Sequence, residues 1–459
     1  MTDTTPNKII LAIAALSTFL VTFMGSSVNI ALPSISNDLQ IDAVMVNWVS
    51  TAYLLATATC LLPFGRLADI YGRKKILSIG VTVFTAASIA ILFITSAGEL
   101  IALRVVQGVG SAMIATTGIA IITSVFPSHE RGRALGINIM ATYLGLSLGP
   151  VLGGTLTESF GWRSIFMVVI PMGITAIPLI MYKIRGEWAE SKGEKFDLAG
   201  SVIYGVSLVA IIYGFSILPG AMGVILVTGG VFGIVAFVRR ERNIESPLFN
   251  VRLFGKNRMF VLSNVTHLLS YTTTFSIAFL LSLYLQYIKG LSPQSAGLVL
   301  VTMAAVQSGF ATVAGKLSDR FEPRILGTVG LALISIGLSR LILLDSNTSI
   351  GSIIAILVLI GFGRALFIPP NTNAIMTSVN RKEYGVASAS LATMRQVGMT
   401  FSMGITILLF AVGIGRVEIT PQYYPAFLDI TKTAFTIFTV ICTIAIPLSI
   451  KRGNIHQHM

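Results

Sequence analysis

Charge is what this sequence lacks. Of its 459 residues, 32 are Lys or Arg and 19 are Asp or Glu, 11% together, against roughly 25% in an ordinary soluble domain. The surface of a soluble chain grows nearly as the three-quarter power of its mass, and this composition cannot cover such a surface. Cysteine is scarcer still. Cys60 and Cys442 each fall inside an apolar run, which argues against a disulfide scaffold and against a thiolate metal site. The high hydrophobic fraction rules out a disordered chain. No Walker-type nucleotide loop, no cluster of metal ligands and no nucleophile–base arrangement appears along the chain. That argues against an ATP-driven pump or a membrane enzyme, and no cofactor and no metal is expected.

What is present is apolar length. Hydrophobic residues make up 54% of the chain, and the mean hydropathy is +0.83. A bilayer core needs about 20 apolar residues per helix. That window gives fourteen spans, at 9–32, 44–65, 75–96, 99–126, 133–156, 164–184, 197–217, 221–239, 259–287, 294–315, 324–344, 350–377, 384–412 and 428–450. The turn Leu218-Pro219-Gly220 separates the seventh from the eighth. The chain reads as an all-α polytopic membrane protein.

The net charge of +13 points to topology rather than nucleic acid, because the basic residues are scattered between the spans. With the N-terminus inside, the inner loops collect 24 of the 32 Lys and Arg, and the outer side has Arg163, Lys289, Arg416 and Lys432. Arg104, Arg340, Arg364 and Arg395 lie within spans. This distribution places both termini in the cytoplasm.

The sequence also repeats. Gly65-Arg66-Leu67-Ala68-Asp69 after the second span recurs 250 residues on as Gly315-Lys316-Leu317-Ser318-Asp319 after the tenth. Two six-helix halves, 1–184 and 259–459, with a central helix pair and linkers at 185–258, give this spacing. Such repeats mark transporters, whose substrate site is expected between the halves near the bilayer midplane. In the stretch from Gly65 to Lys75, Gly65 and Gly72 allow a tight turn. Asp69 can pair with Arg73, or with donors on a neighbouring helix end, as a latch that forms in one conformation and breaks in another. Asp319 is its repeat counterpart.

This stretch resembles the signature loop of the major facilitator superfamily. Leu103-Arg104-Val105-Val106-Gln107-Gly108-Val109-Gly110 is similar to that superfamily's fourth-helix motif. Gly136, Gly145, Gly149-Pro150 and Gly153-Gly154 are spaced as in its antiporter motif. Asn29-Ile30-Ala31-Leu32-Pro33 and Phe196-Asp197-Leu198-Ala199-Gly200 resemble segments of its 14-helix drug/proton antiporter branch, the EmrB/QacA type. The resemblance implies a major facilitator fold and a secondary active transporter, with proton-coupled efflux of a small molecule as the expected task. An uptake carrier for a neutral or anionic metabolite or vitamin is the alternative, and a non-transporting sensor or channel a weaker one. It implies a role for Arg104, with Gln107, in proton coupling or helix linkage.

Gly145, Gly149 and Gly153 recur every four residues on one helical face, which permits close backbone contact with another helix. Pro150 can bend the fifth helix. Together these residues suit a seam between rocking halves. Arg104, Arg364 and Arg395 each need a partner or a water-filled cavity. Arg364 and Arg395, with Gln396, Asn29, Asn138, Tyr143, Asn371 and Asn373, are candidates to line the substrate cavity. His267 is the one histidine within a span and is a candidate proton carrier. Asp38, Asp42 and Glu158, near the outer surface, are alternatives.

The branch pattern has an Asp five residues before Asn29, where this chain has Met24. No acid lies near a midplane, which favours neutral or anionic substrates over cationic drugs. The expected partners are a small-molecule substrate, a proton or other cation as coupling ion, and the lipid bilayer. Nucleic acid is not expected, and the protein is expected to work as a monomer.

Overall fold

A computed structural model describes residues 5–184, 186–318, 321–380 and 383–453, with the backbone alone for residues 5, 6, 128, 129, 131–133, 256 and 316. The helices are α1 (Thr5–Leu39), α2 (Ala43–Tyr71), α3 (Arg73–Ile91), α4 (Ala97–Val125), α5 (Ser128–Phe160), α6 (Ser164–Lys183), α7 (Leu198–Ile217), α8 (Ala221–Asn243), the short α9 (Arg252–Lys256), α10 (Arg258–Thr274), α11 (Ser276–Leu283), α12 (Pro293–Ser318), α13 (Pro323–Leu341), α14 (Ile350–Thr377), α15 (Tyr384–Gly413) and α16 (Tyr424–Ile450). Helices α10 and α11 and the π turn Tyr284–Ile288 make one span, Arg258–Ile288. Among the described residues, fourteen helices are long and apolar enough to cross a membrane, and each overlaps a span expected from hydropathy.

The helix ends follow local chemistry. The α4 start is a capping box in which Ser96 Oγ accepts from the Glu99 N–H and Glu99 Oε2 accepts from the Ser96 N–H, satisfying two otherwise free donors. Asn257 caps α10 by accepting from the Phe260 N–H at 3.0 Å, and Pro323 opens α13, where its missing N–H costs nothing.

The chain forms two compact units. One holds residues 1–41, 48–210 and 229–248, the other 42–47, 211–228 and 249–459. The inserted α7–α8 pair is divided between them. In the first unit Tyr204 Oη donates to Ala58 O at 3.2 Å. In the second, Gly404 of α15 packs on Ile212 and Phe215.

Each unit repeats a close helix crossing of the other. A Cβ added at Gly80 or Gly110 would sit 3.1 or 2.8 Å from the other glycine's carbonyl oxygen, so α3 and α4 touch through backbone. Gly330 and Gly363 do the same for α13 and α14, at 2.6 and 2.7 Å. Likewise Gly108 lies against Tyr53 O and Gly361 against Met303 O. The duplication visible in Gly65–Asp69 therefore extends into the packing.

Candidate functional site: a clamped turn, a buried arginine network and a polar band

The stretch from Gly65 to Lys75 is helix except at Gly72, which alone joins α2 to α3. Its φ of 114° excludes other residues sterically, and an added Cβ would lie 2.3 Å from Glu187 Cδ. Gly65 is helical and makes no turn. Arg73, 7% exposed, folds back on the junction. Its Nε and Nη2 donate to Asp69 Oδ1 at 3.0 and 2.8 Å, and its Nη1 donates to Ala120 O at 3.3 Å, to Ser124 Oγ and to Glu190 Oε1 at 2.8 Å. One guanidinium thus ties α2, α3, α4 and the linker between α6 and α7.

That linker covers the junction. Glu187 accepts from the Lys74 and Lys75 N–H groups at 2.8 and 3.2 Å, placing an anion at the positive end of α3. Trp188 O accepts from the Arg73 N–H at 3.0 Å, and Asp69 O accepts from the Ser191 N–H at 2.9 Å. Glu194 pairs with Arg66. Hydrogen bonds from Ser246 and then Arg66 hold its carboxyl below the usual carboxylate range. These acids were not among the expected site residues. The signal was there: Glu187, Glu190 and Glu194 recur at three- and four-residue spacing in an otherwise basic set of loops. Asp319 lies outside the described residues.

Arg104 is 1% exposed. It donates through Nε to Val49 O at 3.1 Å and through Nη1 to Gln107 Oε1 at 2.5 Å. Its guanidinium lies 4.3 Å from the Tyr53 ring centroid. Gln107 passes the network on to Ser88 Oγ at 2.9 Å, and Tyr53 Oη donates to Ser111 Oγ at 2.9 Å. A buried guanidinium satisfied by a carbonyl, an amide and a ring anchors α2, α3 and α4 together.

The fifth-helix glycines correct an expectation. Their face packs on α1 within the first unit. A Cβ on Gly145, Gly149 or Gly153 would meet Thr22 Oγ1 at 2.1 Å, Ser26 Oγ at 1.8 Å or Ser27 Cβ at 2.9 Å. Ser26 Oγ even donates to Gly145 O at 3.1 Å. Gly136 meets nothing within 4 Å, and Pro150 lies inside α5 without breaking it. Gly154 follows Gly153 in the same helix.

Several cavity candidates are engaged in helix–helix bonds. Asn138 Oδ1 accepts from Thr18 Oγ1 at 3.0 Å, and Asn29 Oδ1 accepts from Ser50 Oγ at 2.8 Å. Asp38 is held by Arg163 at 2.7 Å and Trp162 Nε1 at 3.0 Å. Tyr143 is half-buried, and Gln396 and Met24 are buried.

The second unit carries a polar band. Arg364, 7% exposed, donates through Nε to Gln307 Oε1 at 2.8 Å and through Nη1 to Thr274 Oγ1, and lies 5.2 Å from the Tyr271 ring centroid. Tyr271 packs edge-on against His267, with centroids 5.0 Å apart. Asn371 is a hub. Its Nδ2 donates to Ser263 O at 3.1 Å and faces His267 Nδ1 at 3.5 Å. Its Oδ1 accepts from Thr266 Oγ1 at 3.4 Å and from Arg452 Nη1 at 2.6 Å.

Arg452, 2% exposed, also donates to Pro323 O. Burial pushes its guanidinium down to about 10, so it stays charged at neutral pH. Counted only as a topology marker in the sequence, it is a structural tie. Arg395 is half-buried in α15 and has no hydrogen bond, ion pair or ring contact among the described residues.

The Major Facilitator Superfamily model matches residues 14–403 and, overlapping it, 264–452. The chain belongs to the Major Facilitator Superfamily. It is 29% identical over 445 residues to the riboflavin transporter RibZ of Clostridioides difficile, covering 96% of each chain. It is 32% identical over 452 residues to the cephamycin export protein CmcT of Amycolatopsis lactamdurans, covering 95% of this chain and 92% of that one. Similarity to the multidrug efflux pump LfrA of Mycolicibacterium smegmatis is 30% over 410 residues, covering 86% and 80%. The fold matches a bacterial homologue of the human lysosomal transporter Spinster, in an inward-facing, unoccupied conformation, with a TM-score of 0.69, 16% identity, and 98% and 97% coverage. A peptide transporter POT matches with a TM-score of 0.70, 15% identity, and 96% and 94% coverage. The protein is a multi-pass membrane transporter of the major facilitator fold, not an enzyme.

Proposed function

We propose that this transporter is a secondary active exporter that moves a small organic molecule out across the cytoplasmic membrane by alternating access, driven by a proton or other cation gradient. The observation that carries the reading is near-full-length similarity to a protein named for export, supported by the efflux pump LfrA. Both termini face the cytoplasm on the Lys/Arg distribution, and the monomer is the working unit. Asp69, Gly72 and Arg73, with Asp319 in the repeat, form the conformational latch. Arg104 with Gln107 keeps the first unit's helices in register, and His267 is the proton carrier. Uptake of a metabolite or vitamin is the second reading, beside the similarity to RibZ, which is named as a riboflavin transporter.

The two directions separate in one assay. Cells expressing the protein are loaded with fluorescent neutral, anionic and cationic dyes, with and without a proton ionophore. Export predicts lower accumulation than in control cells, rising to the control level with ionophore. Higher accumulation that falls with ionophore establishes uptake and overturns the export reading.

A further inference from the structure

We propose that Arg364 and Arg395 bind the negative group of an organic anion, a carboxylate or comparable oxyanion on an apolar body, so that the substrate class of this transporter is anionic. The biological meaning rests on the transport reading above, whereas the binding chemistry stands on the side chains themselves.

Depth is the first observation. Arg395 lies eleven residues from the start of α15, and Arg364 fourteen residues from the start of α14, which enters from the opposite side. At about 1.5 Å per residue these lie roughly 16 and 21 Å along helices of about 45 and 42 Å, each longer than a hydrocarbon layer of about 30 Å. Both guanidinium groups therefore sit in the middle of their spans, where an isolated charge is strongly disfavoured.

The second observation is how differently the two are treated. Arg364 is fixed along one edge by Gln307, by Thr274 and by the Tyr271 ring, and its Nη2 donates to none of the described groups. It is pre-organised, with a donor left over. Arg395 has no partner at all among the described residues. Gly398, one turn after Arg395, packs on Tyr271, an added Cβ lying 3.0 Å from Tyr271 Cβ, and Arg364 lies over the Tyr271 ring, so the two arginines share one neighbourhood. Among the described residues of the second unit, no carboxylate pairs with either. The described acids of the second unit are Asp42, Glu322, Asp345, Glu383, Glu418 and Asp429. Of these only Asp429 lies within a spanning helix, as the sixth residue of α16.

The third observation is independent of charge. Ser270 Oγ, Thr393 Oγ1 and Ser390 Oγ are buried without a hydrogen-bond partner among the described residues. Ser270 is one turn from Thr274, which Arg364 holds. Native interiors rarely leave such groups unmet. A free hydroxyl beside a guanidinium with a donor to spare is what an oxyanion takes up, and the planar guanidinium fork matches a carboxylate in two bonds.

The test uses the purified full-length chain and three probes of one shape: naphthalene-2-carboxylate, its neutral carboxamide, and naphthalen-2-ylmethylammonium. Thermal unfolding is followed at increasing probe concentration and, separately, at increasing chloride. The carboxylate is expected to raise Tm, with the amide and ammonium ineffective. Arg395→Gln should weaken the carboxylate at least about tenfold, the scale of one charge-assisted hydrogen bond. Arg395→Lys, which keeps the charge but not the fork, should retain part of the binding. Without probe, Arg395→Gln should unfold no earlier than the parent, because an uncompensated charge has been removed.

Stabilisation by the ammonium alone, by chloride as strongly as by the carboxylate, or by no probe up to millimolar concentration would overturn the anion site. So would carboxylate binding unchanged in both variants. Counterflow in proteoliposomes separates the two levels. Saturable flux of the ammonium but not the carboxylate sinks the anion site and leaves transport standing. Arg395-dependent carboxylate binding without saturable flux of any probe sinks the transport reading and leaves the site.

Discussion

Neutralising Glu190 should loosen the covered junction between α2 and α3 by an amount the geometry fixes in advance. Arg73 is nearly buried, its side chain 8% exposed, but Glu190 is 65% exposed. Exposed ion pairs contribute about 0.2–1 kcal/mol, and the excellent 2.8 Å contact puts this one in the upper half of that range. Glu190→Gln should therefore raise the population of the released linker about two- to fivefold. Asp69 is the more enclosed partner, 35% exposed, and takes two bonds from Arg73. Asp69→Asn should cost about 2 kcal/mol, because a nearly buried guanidinium loses its inner anion. That corresponds to roughly a thirtyfold shift at 1.4 kcal/mol per decade.

Tryptic cleavage at the exposed Lys192 and Lys195 reads this population directly when opening is fast relative to cleavage, and neither variant alters those sites. Raising the salt concentration should imitate Glu190→Gln and have less effect on Asp69→Asn. Equal cleavage rates for Glu190→Gln and the parent, or a larger effect from Glu190 than from Asp69, would refute the assignment of the linker as part of the clamp.

Asp197 accepts three bonds from Arg240, at 3.2, 2.9 and 2.7 Å, and one from the Gly200 N–H at 3.0 Å, so Asp197→Ala should lower stability by about 2 kcal/mol from the lost cap and pair, measured as Tm in detergent. Arg240 holds the Asp197 carboxyl below its usual value. Its stabilisation is therefore complete above the unfolded value of about 3.9 and is lost as pH falls through the depressed folded value, so the Tm difference between parent and Asp197→Asn should shrink only in acid below that point. Gly149→Ala should cost about 1–3 kcal/mol through overpacking against Ser26 and be partly rescued by Ser26→Gly, while Gly136→Ala, with open space around it, should be neutral or slightly stabilising. His267→Gln should preserve probe binding and exchange but abolish accumulation driven by a proton gradient in vesicles; undiminished proton-driven accumulation would place coupling elsewhere.

The spans were legible because each is a summed signal over about 20 residues, strong enough to survive errors at any one position. The repeat was legible because its glycines and acid sit at fixed offsets. What hydropathy does not carry is azimuth. Asn29 and Asn138 look like substrate contacts in a list of polar residues within spans, yet each bonds across to a neighbouring helix. The Gly145–Gly153 face announced close packing but not its partner, which is α1. Arg452 and the linker acids lie in loops, where a topology census sees only sign. Their importance comes from burial against α13 and α14 in one case and from bonds to Arg66, Arg73 and the start of α3 in the other, and neither follows from spacing alone.

The arginines in or beside the spans make the remaining distinction. A guanidinium in a membrane protein has to be compensated, and the kind of compensation separates structure from function. Arg104 is met by a carbonyl, an amide and a ring, and Arg452 by an amide and a carbonyl. Both are ties whose removal would be felt as lost stability. Arg364 is held on one edge with a donor to spare, and Arg395 is not held at all. A side chain that the fold leaves uncompensated at mid-depth contributes nothing to folding that a neutral residue could not, so its presence there argues for a ligand. Because no described carboxylate of the second unit shares that depth, the charge that Arg395 should meet is negative.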